Sequence, residues 1–128
     1  MKRTWPIIGV RDVATSSGFY LSLFGQKQRS PHHDDFDMIS DADGTVLLCL
    51  REWAGHGADP PLQSPGDGAP GNGVLLFFRV DDFDDTLART RRIVGHFEKE
   101  PQVTDDGPGT PEFTVRDPDG YYVTVSAI

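Results

Sequence analysis

Arg116-Asp117-Pro118-Asp119-Gly120-Tyr121-Tyr122-Val123-Thr124-Val125 carries a tight turn followed by a strand-like run. Pro118 suits the first central turn position because its ring fixes φ, and Gly120 suits the exit because glycine tolerates positive φ. With Phe113–Arg116 before it and Tyr121–Ser126 after it, the stretch reads as a closing β-hairpin. The same pattern stands earlier in the chain. Asp41-Ala42-Asp43-Gly44-Thr45-Val46 can be laid on Asp117–Tyr122, and it leads into the strongly apolar strand Thr45–Trp53.

Working outward, each hairpin is preceded by a matching strand and helix. Residues 5–11 alternate as a strand, with Trp5, Ile7 and Gly9 on one side and Ile8 and Val10 on the other. Asp12 offers a helix N-cap, since its carboxylate can accept the free amide hydrogens of a first turn. Ser16, Phe19, Tyr20 and Leu23 follow at helical spacing, and Gly25 suits the stop. Gln26–Ser30 and Asp35–Ser40 are polar pieces of strand length. In the second half, Val74–Val80 is an apolar strand and Asp81 or Asp82 a second cap. Phe83, Leu87 and Thr90 or Arg91 continue a helical face to Gly95, and His96–Val103 is hairpin-like. The junction Val10-Arg11-Asp12 lies on Val80-Asp81-Asp82.

The order is therefore β-α-β-β-β, linker, β-α-β-β-β. A period of roughly 70 residues exceeds that of solenoid repeats and describes a duplicated module in one domain, 1–128. Module one spans 1–53, a linker 54–72, and module two 73–128. The linker is rich in Gly and Pro and poor in large apolar residues, so it lacks the surface to offset ordering entropy.

A chain of 128 residues can bury a core without covalent staples. Its single cysteine, Cys49, sits in the apolar run 46–50, so no internal disulfide forms; a buried core thiol and a cytoplasmic home are expected. No apolar stretch reaches the ~20 residues that span a bilayer, and no signal peptide is visible. The formal charge of −8, with 20 acidic against 12 basic residues, disfavours nucleic acid and favours a neutral or cationic ligand.

Val10-Arg11-Asp12 with Phe19-Tyr20 and Leu23-Phe24-Gly25, then Phe78-Arg79-Val80-Asp81 and the tail Asp117-Pro118-Asp119-Gly120-Tyr121, give the chain a resemblance to the vicinal oxygen chelate superfamily. That group holds glyoxalase I, extradiol dioxygenases, fosfomycin-resistance enzymes and bleomycin-resistance binding proteins. The resemblance covers nearly all of the chain outside 54–72. It implies an α+β fold in which two βαβββ modules form a U-shaped mixed sheet around a central cleft, with the helices outside. It also implies a ligand inside the U and a homodimer, with modules paired within one chain or exchanged between two.

Enzymes of that superfamily place four metal ligands, mostly His, Gln and Glu, on the cleft faces. The matching positions here are Trp5, Leu48 (or a neighbour, Leu47 or Cys49), Leu75 and Thr124. Only Thr124 offers an oxygen, and one weak ligand does not hold a divalent ion. The expectation is a cleft with no metal and no other cofactor. Elsewhere, His32, His33, Asp34, Asp35 and Asp37 cluster as a solvated acidic hairpin edge with surface metal binding as the other reading. His96 follows Gly95, where its protonated form would favour the helix dipole.

Strand alternation places Trp5, Ile7, Val46, Leu48, Leu50 and Glu52 in the cleft from module one. Module two adds Leu75, Phe77, Arg79, Tyr122, Thr124 and Ser126. Leu47, Cys49, Val123 and Val125 fall under the helices. An apolar cleft with aromatic walls and few polar groups is the usual make-up of a small-molecule site. Trp5 and Phe77 can stack on a flat ring or a cation, and Arg79 and Glu52 can orient a ligand's polar ends. Two functions follow. One is a metal-free binding protein, similar to the bleomycin-resistance branch, that sequesters an aromatic or cationic compound. The other is an enzyme, lyase or dioxygenase-like, with a non-standard metal or none, in which Tyr122, Glu52 or His56 supplies acid–base chemistry.

Overall fold

The computed structural model describes residues 5–53, 74–103 and 109–128. The chain divides into two compact units, Met1–Gly68 and Ala69–Ile128, each holding one module. The linker 54–72, with His56, lies outside the described residues.

Module one runs β1 (Ile7–Val10), α1 (Val13–Leu23), β2 (Phe36–Ser40) and β3 (Val46–Glu52). Its three-stranded mixed sheet has the order β1-β3-β2, with β1 parallel and β2 antiparallel to β3. Asp12 caps α1 as expected: its carboxylate accepts from Thr15 Oγ1 at 2.7 Å and the Ala14 amide at 3.1 Å. Those bonds hold the Asp12 carboxyl below the usual carboxylate range. Gly25, at φ 67°, ends the helix. Tyr20, Leu21 and Leu23 of α1 are buried with Ile8, Val10, Ile39, Leu48 and Leu50, which form the core of this unit.

Gln26–Ser30, expected as a strand, forms none. Side chains tie it down instead. Gln28 donates to the Gly18 carbonyl at 3.1 Å and to Ser22 Oγ at 2.9 Å, and Arg29 donates to the Met38 carbonyl at 2.9 Å. The solvated edge expected at 32–37 holds for His32, His33, Asp34 and Asp35, which are exposed, but not for Asp37. Asp37 is fully buried, and its carboxylate accepts from the Ser17 hydroxyl, from Arg29 Nη1 at 3.0 Å and from the His32 amide at 3.2 Å. His32 Nδ1 lies 2.5 Å from Asp37 Oδ1. Burial pushes this carboxyl up, but the bonds from Ser17, His32 and Arg29 together outweigh it and hold it below the ordinary value.

Module two runs β4 (Leu75–Val80), α2 (Phe83–Ile93), β5 (Lys99–Val103), β6 (Pro111–Arg116) and β7 (Tyr122–Ala127). Its mixed sheet has the order β4-β7-β6-β5, with β4 parallel to β7 and the other pairs antiparallel. The expected cap Asp82 precedes α2. Its carboxylate meets Thr86 Oγ1 at 3.1 Å and Arg89 Nη2 at 2.8 Å rather than a main-chain amide. Phe113 is fully buried, 5.6 Å from the Phe83 ring and 5.3 Å from Phe97, so β6 packs this face toward α2.

The two turns that suggested duplication share one hydrogen-bond pattern. Gly44 donates to Asp41 at 2.9 Å and Asp41 to Thr45 at 2.8 Å; Gly120 donates to Asp117 at 3.0 Å and Asp117 to Tyr121 at 3.0 Å. Both glycines take positive φ, 85° and 88°. β1 with β3 repeats β4 with β7, and β2 repeats β6. The fold class is thus α+β, in two repeated modules, each a mixed sheet with a helix on one face. Among the described residues no helix is long and apolar enough to cross a membrane.

Candidate functional site

Each sheet has one face under its helix and one helix-free face. Ladder partners side by side in a sheet share a face, so register assigns every side chain. In module two the rows across β4, β7 and β6 read Leu75–Tyr122–Arg116, Phe77–Thr124–Thr114 and Arg79–Ser126–Glu112. Lys99 of β5 extends the middle row beside Thr114. All lie opposite Phe113, hence on the helix-free face. Leu75, Phe77, Arg79, Tyr122, Thr124 and Ser126, the six residues expected from this module, are therefore brought onto one surface.

This surface is built in two textures. Leu75 and Phe77 on the edge strand β4 are 55% and 45% exposed, so apolar area is offered to a ligand there. The interior rows are polar and satisfied. Thr114 and Thr124 share a hydrogen bond of 2.7 Å, and Thr110 and Ser126 one of 2.8 Å. Arg116 lies 3.6 Å over the Tyr122 ring and donates to its hydroxyl and, at 2.7 Å, to the Gly120 carbonyl. Arg79 donates to the Ala127 carbonyl from Nε at 3.3 Å and Nη2 at 3.0 Å. Lys99 Nζ stands 3.3 Å from Glu112.

In module one the register overturns part of the expectation. Ser40 pairs with Val46, but the next residue back, Ile39, pairs with Leu48. β3 therefore carries one extra residue at Leu47, a β-bulge, and everything beyond it changes face. Leu48 and Leu50 stand beside Ile39 and Asp37 under α1, both fully buried, and Glu52 aligns with Val10 on that side. These three are not on the helix-free face. Cys49 and Arg51, beside Ile7 and Gly9, take their place. Trp5 and Ile7 keep the expected position and are 53% and 49% exposed.

One contributor escaped the sequence reading. A Cβ placed on Gly9 would stand 2.1 Å from the Trp53 ring, so that ring lies over the helix-free face of β1. Only the absence of a side chain at position 9 admits it. Thr114, Glu112 and Arg116 were likewise missed; their signal was the alternation of β6 read together with the turn.

The four positions matching the superfamily's metal ligands become Trp5, Cys49, Leu75 and Thr124. They do not fit a divalent ion. Two are apolar, and Thr124 is buried and bonded to Thr114. Cys49 is fully buried, burial with the Asp37 charge pushes its thiol up, and a single sulfur is not a donor set for a divalent ion. Among the described residues no group of three or more His, Cys, Asp or Glu is arranged to hold a metal ion, the 32–37 cluster included.

Comparison with known proteins agrees with the duplicated architecture. Over 98–100% of this chain, solved structures match at 17–22% identity. A glyoxalase/bleomycin resistance protein from Catenulispora acidiphila DSM 44928 gives a TM-score of 0.66 at 17% identity, covering 100% of this chain and 99% of its own. A lactoylglutathione lyase from Agrobacterium tumefaciens gives 0.65 at 17%, covering 98% and 92%. Oxidase ChaP-H1 gives 0.70 at 19%, covering 100% and 96%. At such identities the likeness shows the fold. No curated protein matches the chain. The sequence model of the Glyoxalase/Bleomycin resistance protein/Dioxygenase superfamily matches residues 4–125, nearly the whole chain, and the protein belongs to that superfamily.

Proposed function

We propose that this chain is a metal-free binding protein that sequesters a small aromatic compound on the helix-free face of a sheet. The observation that carries the reading is the composition of the four ligand positions, where Trp5, Leu75, Cys49 and Thr124 replace metal donors. Exposed Trp5, Ile7, Leu75 and Phe77 supply flat apolar surface, and the superfamily's fold is one that binds small molecules. Burying ~100 Å² of apolar area contributes about 2.5 kcal/mol toward binding.

A thermal-shift screen of aromatic compounds tests this. A ligand at 100 times its Kd adds about 2.7 kcal/mol of stability and raises Tm. No shift with any aromatic compound sinks the proposal. A stoichiometric divalent metal in the purified protein favours the enzyme reading instead, lyase or dioxygenase-like. The reading includes a homodimer, on the habit of the superfamily, and a cytoplasmic site of action, on the single buried thiol. Light scattering with size exclusion checks the first.

A further inference from the structure

The overall charge of −8 points to a cationic ligand, yet the acids are not where a ligand would lie. On the helix-free face of module two, the charged ladder residues are Arg79, Lys99, Arg116 and Glu112. Glu112 is taken by Lys99 at 3.3 Å. Arg116 has Glu98 at 3.7 Å and the Tyr122 ring. Arg79 is different. It is exposed, it is held by a main-chain carbonyl, and among the described residues no carboxylate pairs with it. Its charge is positioned but not neutralised. Acids elsewhere act through water and salt, with a Debye length of about 8 Å at physiological ionic strength, so the guanidinium in contact decides the sign.

Arg79 sits two residues beyond Phe77 on the same face of β4, about 6.6 Å along the strand. Resting on the proposal that this face binds an aromatic compound, we infer that the ligand is an aromatic carboxylate, its ring on Phe77 and Leu75 and its anionic group on Arg79. The guanidinium's remaining N–H groups donate to the carboxylate, a charge-assisted bond stronger than a neutral one. The local charge thus selects an anion on a protein whose surface as a whole is acidic.

Three probes of one shape separate the possibilities: 2-naphthoate, 2-naphthalenemethanol and 2-naphthylmethylammonium, titrated calorimetrically into the full chain. Naphthoate is expected to bind about tenfold more tightly than the ammonium, with the alcohol between. Arg79→Gln should weaken naphthoate about tenfold and the alcohol less than twofold, and Arg79→Lys should restore part of the loss. Phe77→Ala should weaken all three. Unchanged circular dichroism and Tm confirm that these surface variants fold. Equal or tighter binding of the ammonium, or naphthoate binding indifferent to Arg79→Gln, overturns the anion assignment while leaving aromatic binding in place. Failure of all three probes overturns the binding reading itself.

Discussion

The ring of Trp53 occupies the space that any side chain at Gly9 would need, with Cζ3 only 2.1 Å from the position of a Cβ. Gly9→Ala therefore forces the indole away or shifts β1. Overpacking of this kind costs about 1–3 kcal/mol. Urea unfolding followed by fluorescence, in a Trp5→Phe background so that Trp53 alone reports, should show both the lost stability and a red-shifted native emission. An unchanged spectrum would mean that Trp53 does not lie over β1.

Asp37 is the hub that fastens Arg29 and His32 to β2 and α1. Asp37→Asn keeps the shape but removes the charge that Arg29 faces, and a loss of about 2–3 kcal/mol is expected, below the full cost of a dry ion pair because Arg29 is partly exposed.

The same residue predicts an acid limb. Its folded carboxyl titrates below the value near 3.9 of an unfolded Asp. The unfolded chain thus binds the proton first, and the stabilisation is complete above about pH 5 and disappears as pH falls through the folded value. Stability measured from pH 6 to pH 2 should fall less steeply in Asp37→Asn than in the native protein. Parallel curves would rule Asp37 out as a source of that limb.

Thr114 and Thr124 form a closed pair on the helix-free face. Either single change to Val leaves the other hydroxyl without its partner and should cost about 1 kcal/mol or more, whereas the double change removes both and should cost less than the sum. A double-mutant cycle on unfolding free energies reads the coupling directly. Strict additivity would show that the pair contributes nothing.

Cys49 should resist alkylation in the native protein at pH 8 and react readily in urea, because burial keeps the thiol protonated. Mass spectrometry after a timed iodoacetamide pulse reads the difference. Chelator treatment, in turn, should leave Tm unchanged, since the donor set offers no metal to remove.

Much of the fold was legible because turns advertise themselves. The Asp-x-Asp-Gly turns at 41–44 and 117–120 need their glycines, and the Asp12 cap needs its carboxylate, so residue type alone marks them. The helix-free face of module two was legible for the same reason, since β7 follows its turn without interruption. The face of module one was not. Val46-Leu47-Leu48-Cys49-Leu50 is apolar throughout, so alternation carries no sign of which residue is extra, and only pairing with β2 reveals it. Asp37 was misread because a buried carboxylate looks like any surface acid until its partners, Ser17 and Arg29, arrive from elsewhere in the chain.

The additional residue at Leu47 also separates residue count from position in the sheet. With it present, the halves of the chain are no longer interchangeable parts: Leu48 matches Thr124 in distance from its turn, yet Cys49 matches it in position on the sheet. A substitution transplanted from one copy to the other by counting residues would land on the wrong side. Counting from the turn and matching along the sheet therefore name different residues in the two halves.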